Sequence, residues 1–226
     1  MIMKIILAVD IKGGEVVHGY KGRREIYKPL DWGLAESTEP VKYLTELKVK
    51  YPYLADLDRI GRNGDNNSAV LSCRNCGEFS YLNRGAEKPS EALKQPWIKN
   101  VISTETCRGD PEDYTDFDYF SVVVKDGRAL PDGQKPAEVL KRASGAGFEG
   151  LIVLNLSSVG AEDSMGGLDI EEIRSAYEGT LLYGGGVNST EDLLRLQDAG
   201  IDGAIIATAV HKGRVPLKYV QEGRIC

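Results

Sequence analysis

Short runs of apolar residues alternate with stretches that carry one apolar face along the whole chain. This is the pattern of repeated strand and helix units around a parallel sheet, whose strands are buried on both faces. Eight strands are predicted, near Ile5–Val9, Tyr53–Leu57, Glu78–Leu82, Trp97–Ile102, Phe117–Val124, Gly150–Leu154, Thr180–Tyr183 and Gly203–Ala207. Between them, Thr38-Glu39-Pro40 opens a helix in which Val41, Leu44 and Leu47 share a face, and Ser189-Thr190-Glu191-Asp192 opens another. The third and fourth helices, around Ser90–Lys94 and Pro111–Tyr114, are unusually short.

The two halves of the chain repeat one another. Asp10-Ile11-Lys12-Gly13-Gly14 matches Val123-Val124-Lys125-Asp126-Gly127, and Leu54 to Gly61 matches Val153 to Gly160. Ser103-Thr104-Glu105 matches Ala207-Thr208-Ala209. Three matches in the same order predict a (β/α)8 TIM barrel built from two four-strand halves. Its 226 residues suit one such barrel spanning 1–226.

Charge narrows the partners. The net charge of −6 argues against nucleic acid and against an anionic membrane surface, since both call for a basic face. The apolar start, Met1 to Val9, is too short for a secretion signal and is broken by Asp10 and Lys12, so a cytoplasmic protein is expected. Cys73-Arg-Asn-Cys76 has the spacing of half a zinc site, without a second pair or a nearby histidine. Cys73, Cys76, Cys107 and Cys226 therefore read as reduced thiols, and nothing calls for a metal or cofactor.

The strongest chemical signal is Tyr183-Gly184-Gly185-Gly186-Val187, followed by Ile205-Ile206-Ala207-Thr208-Ala209. Consecutive glycines after a strand let backbone N–H groups approach an anion, and the loops after the last two barrel strands commonly form a phosphate site. Gly184, Gly185, Gly186, Ala207 and Thr208 are thus candidate phosphate ligands, and a phosphorylated small molecule is the expected partner. Asp10 ends the first apolar run, where barrels place catalytic groups; it either transfers protons or caps the following turn and pairs with Lys12. Asp56 and Asp58 share a face if the second strand runs through both, which suits acid–base work; alternatively one pairs with Arg59. Lys12 to Gly14 and Lys21 to Arg24 flank an excursion able to close over an anionic substrate. Neither His18 nor His211 is assigned a catalytic role.

Val-Asp10-Ile-Lys-Gly-Gly-Glu-Val-Val17, Ala-Asp56-Leu-Asp58, Tyr-Gly-Gly-Gly-Val187 and Ile-Ile-Ala-Thr-Ala209 make the chain resemble the HisA/HisF superfamily of histidine biosynthesis. That resemblance implies a half-barrel repeat, two phosphate sites, and catalytic aspartates ending strands one and five. The isomerase of that family carries out an Amadori rearrangement, which needs two proton-transfer groups. The first aspartate corresponds to Asp10, whereas the second falls on Val123, leaving Lys125 or Asp126 as substitutes. The first-half phosphate loop reads Leu82-Asn83-Arg84-Gly85-Ala86-Glu87, where only Gly85 keeps the pattern and Arg84 offers a guanidinium instead. These departures resemble the HisA/HisF-related branch of methane-metabolising organisms, and imply an isomerase or lyase of a phosphorylated, sugar-like molecule. The alternatives are the histidine-pathway isomerase itself and a barrel that binds a phosphorylated ligand or a partner without catalysis.

Overall fold

The computed structural model describes residues 2–160, 165 and 167–225; Cys226 lies outside them. Each apolar run becomes a strand. In chain order the strands are β1 (Lys4–Lys12), β2 (Glu15–Val17), β3 (Pro52–Asp56), β4 (Ser80–Asn83), β5 (Ile98–Ser103), β6 (Tyr119–Lys125), β7 (Arg128–Ala129), β8 (Gly150–Asn155), β9 (Thr180–Gly184) and β10 (Gly203–Ile206). Eight of them pair in parallel in the order β1, β3, β4, β5, β6, β8, β9, β10, and β10 closes onto β1 through Lys4 opposite Gly203 and Leu7 opposite Ile206. This is a closed (β/α)8 barrel.

The barrel interior is one apolar cluster to which each barrel strand contributes: Ile6, Tyr53, Tyr81, Val101, Tyr119, Ile152, Leu182 and Ile205. Outward-facing residues of the same strands, such as Ile5, Leu7 and Val9, pack with Tyr43, Leu44 and Leu47 of helix α1 (Pro40–Leu47) in a second cluster. Burial on both faces is what the unbroken apolar runs required. Helix α1 starts one residue later than Thr38 would place it: Glu39 is the cap, and its carboxylate accepts from the N–H groups of Val41 and Lys42, both at 3.1 Å.

The two halves repeat in three dimensions. Barrel strands β1 and β6 each run on into an antiparallel hairpin, with β2 and β7 respectively. Both hairpin turns hold two successive residues at positive φ, Gly13 (60°) and Gly14 (82°) in one, Asp126 (51°) and Gly127 (75°) in the other. That conformation suits a two-residue turn and favours glycine or aspartate. The second and sixth barrel strands each end in a single helical turn, α2 (Leu57–Ile60) and the 3-10 turn Leu156–Ser158.

One expectation is corrected here. Strand β3 stops at Asp56, which caps α2 by accepting from Arg59 N–H at 3.1 Å, so Asp56 and Asp58 are not neighbours on one strand face. Where short third and fourth helices were expected, the chain forms only the 3-10 turns Pro89–Glu91 and Pro111–Asp113. The remaining helices are α3 (Asn67–Ser72), α4 (Pro136–Ala143), α5 (Ile170–Ser175), α6 (Thr190–Asp198), α7 (Thr208–His211) and α8 (Leu217–Glu222).

Candidate active site

The C-terminal ends of the barrel strands frame a cleft lined by Asp10 of β1, Ala55 of β3, Asn83 of β4, Leu154 of β8, Ile205 of β10, and the loop residues Glu105, Gly185, Gly186, Ala207 and Thr208. Asp10 stands opposite Val17 in the first hairpin and Ala55 in β3. Burial pushes its carboxyl up from an ordinary 3.8 to about 6, and the Arg24 guanidinium holds it back from rising further. A carboxyl poised there exchanges its proton near neutrality.

Two strands round the barrel from β1, Gly184 closes β9 between Leu154 and Ile205, beneath the cleft, while Gly185 and Gly186 turn into it. Gly185 has φ of 99°, and a Cβ there would run into the Asn155 carbonyl, so only glycine lets this backbone cross so close to β8. Helix α6 begins just beyond, its Ser189 hydroxyl accepting from Asp192 N–H. The sequence candidates Asp10, Gly185, Gly186, Ala207 and Thr208 thus line one space.

The excursion after β2 folds over that space. His18 N–H donates to the Lys28 carbonyl (2.9 Å), Lys21 N–H to the Val159 carbonyl (2.7 Å), and Lys12 Nζ to the Arg24 carbonyl (2.7 Å). Arg24 then spans to Glu105 through two parallel N–H donors at 2.6 and 2.8 Å, a bidentate and partly buried ion pair. The mouth is thus covered on one side by a strap tied to both halves, through Glu105 in the first and Val159 in the second.

Both histidines sit at this site. His18 lines the cleft with Nε2 3.3 Å from Thr208 Oγ1, and burial, aided by Lys212, lowers its pKa. His211 accepts from Leu34 N–H through Nδ1 (3.1 Å), which leaves its proton on Nε2, 2.5 Å from Tyr43 Oη. Burial drives its pKa down to about 4, so it is a neutral strut between α7 and the end of the strap.

The other sequence candidates lie elsewhere. Asp56 is fully buried beneath α2 and also accepts from the Asn66 N–H (2.8 Å) and Asn66 Nδ2 (2.7 Å), the latter reaching Asp58 as well. Its oxygens are consumed in holding the loop after β3. Lys125 is the exposed last residue of β6, paired with Arg128 in the second hairpin, and Asp126 stands in the hairpin turn, where it exchanges hydrogen bonds with Ser157. Arg84 reaches Asn67 Oδ1 at 2.8 Å, and the Gly85 N–H donates to Asn83 Oδ1 at 3.2 Å. Sequence reasoning placed Arg24 in the basic segment able to close over an anion, but gave His18 no role and met Glu105 only in the internal repeat, because neither sits in a local motif.

Comparison with known proteins gives the family. A family profile described as histidine biosynthesis protein matches residues 97–216. An uncharacterized protein of Methanocaldococcus jannaschii is 30% identical, with 96% of this chain and 97% of that protein aligned. The chain belongs to the histidine biosynthesis protein family. Among its relatives, the 1-(5-phosphoribosyl)-5-((5-phosphoribosylamino)methylideneamino) imidazole-4-carboxamide isomerase of Thermus thermophilus is 28% identical over 96% of this chain and 97% of the enzyme. The isomerase of the same name from Caldicellulosiruptor saccharolyticus is 35% identical over 96% and 98%. At the fifth barrel strand, where the family resemblance implies a second aspartate, this member of the histidine biosynthesis family has Val123, fully buried.

Proposed function

We propose that this barrel is an isomerase of a phosphorylated, sugar-like small molecule, in a branch distinct from the histidine-pathway enzyme. The observation that carries the reading is that Asp10, a buried carboxyl with a raised pKa, lines the same cleft as Gly185, Gly186, Ala207 and Thr208. The phosphate sits on the glycine turn and Thr208, which leaves the carbon chain extended toward β1. Ionised Asp10 takes the carbon-bound proton. His18 supplies the second proton transfer that the reaction class needs, in the role Val123 cannot fill. Closure of the strap keeps water from the intermediate.

The histidine-pathway reaction is the competing reading, favoured by the identities to the named isomerases. Against it stand buried Val123 and a carboxylate at Glu105 in the first-half anion position. Methanocaldococcus jannaschii moreover has both the uncharacterized relative and a named isomerase, at 30% and 25% identity to this chain.

The test has two parts. Calorimetric titration with inorganic phosphate is expected to give binding that Thr208→Glu abolishes; a folded wild type that ignores phosphate sinks the reading. Turnover of the histidine-pathway aminoaldose is then assayed with wild type and Asp10→Asn. No conversion supports the separate branch, whereas conversion that falls by about 100-fold or more in the variant returns the protein to histidine biosynthesis.

A further inference from the structure

The two halves of the barrel differ at equivalent places. The repeat aligns Ser103-Thr104-Glu105 with Ala207-Thr208-Ala209, and both segments follow matching strands, β5 and β10. In the second half this place is open, with Ala207 and Thr208 facing the cleft beside Gly185 and Gly186. In the first half Ser103 and Thr104, the counterparts of Ala207 and Thr208, are buried, and the neighbouring Glu105 carboxylate lines the cleft and takes both outer nitrogens of Arg24.

The adjoining loop after β4 is closed as well. The Gly85 N–H is spent on Asn83 Oδ1, and a Cβ on Gly85 would come within 2.7 Å of the Ile60 Cα. Arg84 reaches Asn67. Arg84 lies outside the cleft lining, so an anion arriving in the cleft here meets the Glu105 carboxylate and the Arg24 guanidinium already paired with it, in a site partly shielded from water. Repulsion of that kind is an effective rejection device.

The lining that β3, β4 and α2 give to the cleft is uncharged. Tyr53, Ala55, Leu57 and Ile60 belong with Tyr27 to one apolar cluster and line the cleft, β4 adds the Asn83 amide, and the charged groups Asp10 of β1 and the Arg24–Glu105 pair flank this stretch. The Asn83 Nδ2 reaches Tyr53 Oη at 3.4 Å, a long contact that a ligand acceptor can improve on.

We propose that the end of the cleft formed by β3 and β4 is a subsite for an uncharged, ring-sized group of a substrate carrying a single phosphate, and that Glu105, by occupying Arg24, excludes a second anion. This rests on the phosphate being held at Gly185 to Thr208.

Calorimetry on the full chain tests it with four probes: inorganic phosphate, benzyl phosphate, fructose 6-phosphate and fructose 1,6-bisphosphate. Benzyl phosphate is expected to bind about 10-fold or more tighter than inorganic phosphate, through burial of its ring. The bisphosphate is expected to gain less than about threefold over the monophosphate in wild type. In Glu105→Gln the freed charge of Arg24 should raise that gain to about 10-fold, with inorganic phosphate changed by less than about threefold. A wild type that already prefers the bisphosphate by about 10-fold, or one that gains nothing from the benzyl group, overturns the proposal whether or not the variant folds. Failure of every probe to bind would instead strike the phosphate reading beneath it.

Discussion

At Asp10, burial and a neighbouring guanidinium pull in opposite directions, and burial wins. Because the folded pKa lies above the unfolded one, the native state holds a proton that the unfolded chain has lost between pH 3.8 and about 6. Stability from this group is therefore present below that window and declines as pH rises through it. Asp10→Asn, which keeps the shape and removes the charge, is expected to raise stability at pH 8 by on the order of 2 kcal/mol. The gain should shrink toward zero near pH 4. Urea unfolding at the two pH values measures it, and a destabilised variant at pH 8 would show that the carboxylate is paired and not strained. Asp10 could be picked out in the sequence because it interrupts an apolar run at a strand end. Asp56 stood out because a strand running on through Asp58 would put both carboxylates on one face, but β3 stops at Asp56, whose role is to cap α2.

At the level of elements, the quarter of the barrel after β4 and β5 has 3-10 turns where the other units have helices. Tyr114 fills the gap. Its hydroxyl accepts from the N–H groups of Arg108 (2.8 Å) and Gly109 (3.2 Å) and donates to the Glu87 carbonyl (2.7 Å), tying two irregular loops together while its ring is buried. Tyr114→Phe leaves three backbone groups without this partner and is expected to cost about 1–3 kcal/mol. Denaturant unfolding checks this, and a loss under about 0.5 kcal/mol would mean that water replaces the hydroxyl. The strands were legible in the sequence because burial on both faces demands unbroken apolar runs, as in Leu151-Ile152-Val153. The short turns were not, because they are fixed by one side chain reaching across to loops nearby in space and up to 27 residues away in sequence.

For the whole molecule, two buried groups set opposing slopes of stability with pH. His211 has its folded pKa lowered from 6.5 to about 4, so its contribution is present above 6.5 and lost as pH falls toward 4. Over nearly the same range Asp10 works the other way. The two largely offset one another in wild type. Asp10→Asn is thus expected to steepen the fall in melting temperature between pH 6.5 and 4, and a curve parallel to that of wild type would refute the opposition. The segment that covers the mouth is tied to α7, α1 and the loop after β5, since His211 joins Leu34 to Tyr43 while Arg24 joins the strap to Glu105.

The sequence by itself determined the barrel, its doubled design, Asp10 and the glycine turn. Each of these depends on neighbours in the chain: an apolar run long enough to span the sheet, a glycine pair for a positive-φ turn, a repeat read in order. Tertiary structure alone decided that Asp56, Lys125 and Asp126 stand outside the cleft, that His18 enters it, and that Glu105 meets Arg24 across 81 residues. Those outcomes depend on where strands stop and how a strap folds back, which long-range packing settles and local pattern does not encode.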